Sequence, residues 1–76
     1  MSGDSHDGSE VTIIVNGERR LAAAGSSLRD LVAALGFEGR PVAVEVDGAV
    51  VPRSRFAERG LAGGELIEIV SFVGGG

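Results

Sequence analysis

Five consecutive residues, Val11-Thr12-Ile13-Ile14-Val15, are branched at Cβ and run directly into Asn16-Gly17. Branched side chains pack well on a pleated surface and lose χ1 freedom in a helix. An Asn-Gly pair accepts the positive φ angles that both central positions of a tight hairpin turn demand. The pattern predicts a strand that doubles back on itself, with the return strand at Glu18 to Ala23 closed by Gly25 and the serines.

One helix follows. Ser27 can cap its first turn, and Asp30, three residues on, sits at the capping-box position. Leu28, Leu31, Val32 and Leu35 then recur at helical spacing on one face, and Gly36 supplies a left-handed stop. After Arg40-Pro41, Val42, Val44 and Val46 alternate with Ala43 and Glu45, the period of a half-buried strand. Asp47-Gly48 is a second tight turn, leading to a short strand at Val50-Val51 that Pro52 ends. Arg53 to Arg59 can hold one helical turn carrying Phe56. Gly63-Gly64 turns the chain again, and Glu65 to Val70 is the last predicted strand. The expected fold class is α+β, a mixed sheet of about five strands with one main helix packed on one face. The first and last strands form its natural central pair.

Residues 1–10 read as a disordered acidic leader, residues 11–73 as the folded domain and residues 74–76 as a flexible glycine tail. The leader holds Asp4, Asp7 and Glu10 and no basic residue, so of the net charge of −4 only −1 belongs to the rest, with 8 acids against 7 Arg. A near-neutral body argues against nucleic acid, which calls for a concentrated basic face. With no long apolar run and no signal-like N-terminus, the expected location is the cytoplasm, without membrane attachment. Cysteine is absent, and the lone histidine, His6, falls in the leader. No nucleophile–base pair and no metal-ligand cluster can therefore be assembled from the body, and no intrinsic catalytic residue, bound cofactor or metal is expected. The acids read as solvated surface. All seven cations are Arg, so the chain offers no Lys for isopeptide chains on its own side chains.

The sequence closes on Ile69-Val70-Ser71-Phe72-Val73-Gly74-Gly75-Gly76. Glycines set against a strand make a thread with no Cβ, and three of them reach about 10 Å. A narrow channel in a partner could admit such a thread and reach the carboxylate of Gly76. That carboxylate is a poor electrophile until activated, for example as an acyl-adenylate. A frayed end or an added tail is the bland alternative.

These segments together resemble a known family. Val15-Asn16-Gly17, Ser27-Leu28-Arg29-Asp30-Leu31-Val32 with Leu35-Gly36, Val42-Ala43-Val44-Glu45-Val46-Asp47-Gly48 and Val50-Val51-Pro52-Arg53-Ser54 are similar to the ThiS family of thiamine-biosynthesis sulfur carriers. So is the closing Ile67-Glu68-Ile69-Val70-Ser71-Phe72-Val73-Gly74-Gly75-Gly76. The resemblance spans residues 11–76 and implies a ubiquitin-like β-grasp fold. It also implies that an E1-like, ThiF-like enzyme adenylates Gly76 with ATP and magnesium. Sulfur from a cysteine persulfide then replaces the adenylate, and the thiocarboxylate supplies a ThiG-like thiazole synthase. By position, Gly76 holds the sulfur, and Gly74 and Gly75 form the threadable tail. Two departures fall in turns: Ala62-Gly63-Gly64-Glu65 stands where members often have Asp-Gly-Asp, and Asp47-Gly48 replaces the commoner Asn-Gly.

Period-2 alternation puts Ile67 and Ile69 on one face of the last strand and Leu66, Glu68 and Val70 on the other. If the helix covers the first face, Leu66 and Val70 lie on the open side. Phe72 and Val73 continue towards the tail, and these four are the candidate docking residues for the activating enzyme. Ordinary exposed apolar side chains are the alternative. The group Arg53, Arg55 and Arg59 reads as a solvated segment that could assist docking. The isolated protein is expected to be a monomer. Three other readings stay open: the small subunit of molybdopterin synthase, a ubiquitin-like modifier joined to target lysines, and an interaction domain with an inert tail. Both prolines, Pro41 and Pro52, lie far from the tail, unlike the prolines that often precede it in the molybdopterin proteins.

Overall fold

The computed structural model describes residues 10–72. The expectations for residues 1–9 and for Val73, Gly74, Gly75 and Gly76 fall outside the described residues. The elements are β1 (Glu10–Val15), β2 (Glu18–Ala23), α1 (Leu28–Ala34), β3 (Val42–Val46), β4 (Ala49–Val51), a 3₁₀ turn (Arg53–Arg55) and β5 (Leu66–Ser71). They form one sheet in the order β2-β1-β5-β3-β4. The β1–β5 pair is parallel, and the other three pairs are antiparallel. Parallel strands need a long crossover. The helix and the β3–β4 hairpin supply it. This is the ubiquitin-like β-grasp, with β5 at the centre of the sheet.

Four strand ends differ from the sequence reading by one residue, among them the start of β4, which lies at Ala49. Glu10 belongs to β1 and not to a leader, because β2 is long enough to pair it with Ala23. The last strand begins at Leu66 and gains Ser71, which pairs with Val42. The two hairpin turns match in detail. Asn16 and Asp47 both have φ of 50°, and Gly17 and Gly48 both have φ of 86°. Only short side chains such as Asn and Asp occupy that region without large strain.

Helix α1 is held at both ends. The Asp30 amide donates to Ser27 Oγ at 3.2 Å, and the Ser27 amide donates to Asp30 Oδ2 at 2.9 Å, which completes a capping box. At the other end the Gly36 amide donates to the Ala33 carbonyl and the Phe37 amide to the Val32 carbonyl, both at 3.0 Å. This is the paired-bond stop that a left-handed Gly36 (φ 88°) permits. Seven residues are too few to hold a helix alone. Caps and burial must supply the difference. Ser27→Ala is expected to destabilise the fold by about 1 kcal/mol, a fall of about 4–8 °C in melting temperature by circular dichroism.

The core lies between α1 and one face of the sheet. Ile13 and Val15 from β1, Val44 and Val46 from β3, and Ile67 and Ile69 from β5 meet Leu28, Leu31 and Val32 of the helix. Phe56, just after the 3₁₀ turn, and Leu61 close one side. The expected helical turn around Phe56 is thus a short 3₁₀ turn that delivers one aromatic ring to the core.

Glu65 is the exception, among the described acids, to the reading of the acids as solvated surface. It is buried. Its carboxylate pairs with Arg59 at 2.7 Å and accepts the Ala62 amide at 2.9 Å. Arg59 also donates to the Gly60 carbonyl at 2.6 Å. These contacts brace the loop leading into β5, so Arg59 is a structural cation and not part of a solvated docking group. Arg55 fits the solvated reading: its pairing with Glu58, at 3.5 Å, joins two side chains about two-thirds exposed (67% and 68%).

Candidate functional site

Strand β5 is the only described element that leads to the tail, and its two faces have different roles. Ile67 and Ile69 are buried under the helix, whereas Leu66, Val70 and Phe72 are 53%, 55% and 57% exposed. Three large apolar side chains in one row on a central strand is unusual when nothing covers them. The strand is central because both neighbours bond to it, so its exposure is a property of the sheet's open face and not of an edge.

The pairing register extends the row into a patch. Ile14 lies beside Leu66, Ala43 opposite Val70, and Glu45 opposite both Glu68 and Val50. Val50 is 67% exposed. At the far edge Leu21, also exposed, lies opposite Thr12 on this face. Sequence reading named Leu66, Val70 and Phe72 and missed Ile14, Ala43, Leu21 and Val50. The signal was available: two-residue turns at 16–17 and 47–48 fix the hairpin registers, and opposite residues share a face. Glu45 and Glu68 face each other inside the patch. Like charges opposite each other destabilise a sheet, and a cation brought by a partner would relieve them.

Beyond Phe72, whose amide donates to the Pro41 carbonyl at 3.1 Å, the chain passes to Val73 and the glycines outside the described residues. The structure therefore brings Leu66, Val70 and Phe72 together and leaves the placement of Val73, Gly74, Gly75 and Gly76 open. On the helix side of the sheet lies a cleft of about 490 Å³, floored by Val32, Phe37, Val42 and Phe56 and rimmed by Arg29, Arg40 and Arg53. Among the described residues no cluster of His, Cys, Asp and Glu could hold a metal ion. No helix among them is long and apolar enough to cross a membrane.

The model of the ThiS family matches residues 7–76, nearly the whole chain with its glycine tail. The chain belongs to the ThiS family. Among solved structures, this ThiS-family chain is similar to the thiamine biosynthesis protein (ThiS) of Geobacter metallireducens. The TM-score is 0.72 at 29% identity, over 87% of this chain and 100% of that one. It is also similar to two proteins named thiazole synthase. That of Paramagnetospirillum magneticum is 39% identical over 64 residues, and that of Magnetococcus marinus is 44% identical over 64 residues. Each match covers 84% of this chain but 20% of the relative, so the chain spans about a fifth of the length of these curated relatives.

Proposed function

We propose that this ThiS-family chain is a sulfur carrier for thiazole formation in thiamine biosynthesis, loaded at the carboxylate of Gly76. The observation that carries the reading is a family match that runs through β5 and the glycine tail. A ThiF-like enzyme, using ATP and magnesium, joins the carboxylate to AMP and releases pyrophosphate. The terminal sulfur of a cysteine persulfide then displaces AMP to give an acyl disulfide. A second thiol attacks the donor cysteine's sulfur, breaking the S–S bond and ending as a disulfide with it, and the thiocarboxylate released is the sulfur source for a ThiG-like thiazole synthase. The chain is a substrate of both enzymes and catalyses neither step. Two relatives named thiazole synthase carry a segment similar to this chain within a longer polypeptide. A carrier and its acceptor enzyme joined in one chain favour thiazole over molybdopterin as the destination. The test is exchange of labelled pyrophosphate into ATP by the purified activating enzyme. Exchange should depend on added carrier, and no stimulation by the carrier contradicts the reading.

Docking in this account uses Leu66, Val70 and Phe72, with Val73 continuing the row. Leu66→Glu places a third carboxylate beside Glu68 and Glu45. Leu66 is half-exposed, so the lost burial and the added like charge together should lower stability by about 1 kcal/mol, leaving the fold intact. Affinity for the activating enzyme should fall about 10- to 30-fold, the loss expected for an anchor at an interface centre. Titration calorimetry decides it: unchanged affinity removes Leu66 from the docking surface.

A further inference from the structure

Strand β1 ends at Val15, two residues short of where β5 needs a neighbour. Up to that point the parallel ladder is regular. The Ile14 amide donates to the Glu65 carbonyl at 3.0 Å, and the Asn16 amide donates to the Ile67 carbonyl at 2.9 Å. Had β1 continued, the next β5 residue on that side, Ile69, would have donated to the carbonyl of residue 16 and accepted from the amide of residue 18. The turn at Asn16-Gly17 takes both groups away.

The Asn16 side chain replaces them. Its Oδ1 accepts the Ile69 amide at 2.9 Å, and its Nδ2 donates to the Ile69 carbonyl at 3.2 Å. One carboxamide thus supplies both bonds that a longer strand would have given. The matching turn on the other side shows why the residue is Asn. Asp47 also holds β5: its amide donates to the Leu66 carbonyl at 2.7 Å, and its Oδ1 accepts the Leu66 amide at 2.9 Å. There the main chain provides the donor, so a carboxylate suffices. At position 16 the side chain must donate from one atom and accept at its neighbour, which a carboxamide does and a carboxylate cannot.

We infer that Asn16 is a positioning residue for the tail, a splint that fixes the direction in which β5 leaves the sheet. Ile69 is the last β5 residue held from the β1 side, because Ser71, the next to face that way, lies beyond the end of β1. On the opposite side the last described bond is that from Phe72 to Pro41. Without the splint the exit of β5, from Ile69 to Phe72, is held from the β3 side alone, and its direction relative to the docking face is no longer fixed from both sides. The consequence for loading rests on the carrier reading above. The clamp itself does not.

The test uses the full chain with Asn16→Gly, which keeps the positive-φ turn and removes the side chain that carries the carboxamide. Ser27→Ala serves as the comparison, since it removes a side-chain cap remote from β5. In Asn16→Gly the Ile69 amide should exchange with solvent about tenfold faster or more, while Ile67 keeps its protection. The turnover rate of adenylation should fall about tenfold or more, because misplacing a reacting group by about 1 Å can cost 100-fold. Affinity for the activating enzyme should stay within about twofold, since the docking face is untouched. Ser27→Ala should lower the melting temperature and raise Ile67 and Ile69 exchange together, by no more than the roughly fivefold that about 1 kcal/mol of global stability allows, while adenylation stays within about twofold of the wild type. Asn16→Gly adenylated at the wild-type rate, or Ser27→Ala losing as much turnover, overturns the proposal. A wild-type chain that is not adenylated at all removes the carrier reading and the loading consequence with it. Ile69 exchange still decides the clamp in that case, and unchanged exchange in Asn16→Gly refutes it.

Discussion

Deleting Gly75 and Gly76 should abolish thiocarboxylate formation while leaving the melting temperature within about 2 °C of the full chain. Two residues span at most about 7 Å when extended. A catalytic site that loses about 100-fold for an error of about 1 Å cannot act on a carboxylate withdrawn that far. Stability should not respond, because the sheet, the helix caps and the buried cluster all lie within residues 10–72. The measurement pairs intact-mass analysis of a reconstituted loading reaction with a thermal melt of each form. Loading of the truncated chain at a comparable rate would remove Gly76 from its assigned role. A large drop in melting temperature would show that the tail has a structural duty the account does not give it.

The second large effect separates the two faces of β5. Ile67→Ala is expected to destabilise the protein by about 2–5 kcal/mol through lost transfer energy and the cavity left behind. Ile67 is 1% exposed and sits on the central strand between the helix and both halves of the sheet. A domain of 76 residues has about 4–11 kcal/mol of total stability at typical values per residue, so the variant loses a large share. Val70→Ala, three positions along the same strand, should cost no more than about 0.5 kcal/mol. The expected melting temperatures differ by at least about 6 °C for the two substitutions. Similar losses for both would mean that the open face is packed against something, or that the core is not where the structure places it.

Local chemistry made most of this fold legible. Asn16-Gly17 and Asp47-Gly48 declare two-residue hairpin turns, and the structure gives both the same pair of positive φ angles. Ser27 and Asp30 announce the helix start, and Gly36 announces its end. Each signal acts over a few residues and depends little on the rest of the molecule. The misses are long-range or cooperative. Glu65 reads as one acid among eleven until the loop through the Gly63-Gly64 turn brings Arg59 against it. The Asn16–Ile69 contact joins residues 53 apart in sequence and depends on the parallel register of β1 and β5, which no periodicity encodes. The basic rim of Arg29, Arg40 and Arg53 comes from three segments that meet only in the folded chain. The apolar face of β5 was legible in part, since alternation sorts residues into two faces but does not say which neighbours fill the open one.

The measurement closest to the central claim is intact-mass spectrometry of the full chain after reaction with ATP, magnesium, the activating enzyme and a persulfide sulfur source. The account predicts a species heavier by the difference between sulfur and oxygen, located to Gly76 by fragmentation and absent when Gly75 and Gly76 are removed. An unmodified mass with an activating enzyme shown to be competent on another carrier, or a covalent conjugate to a target lysine in place of the thiocarboxylate, would contradict it.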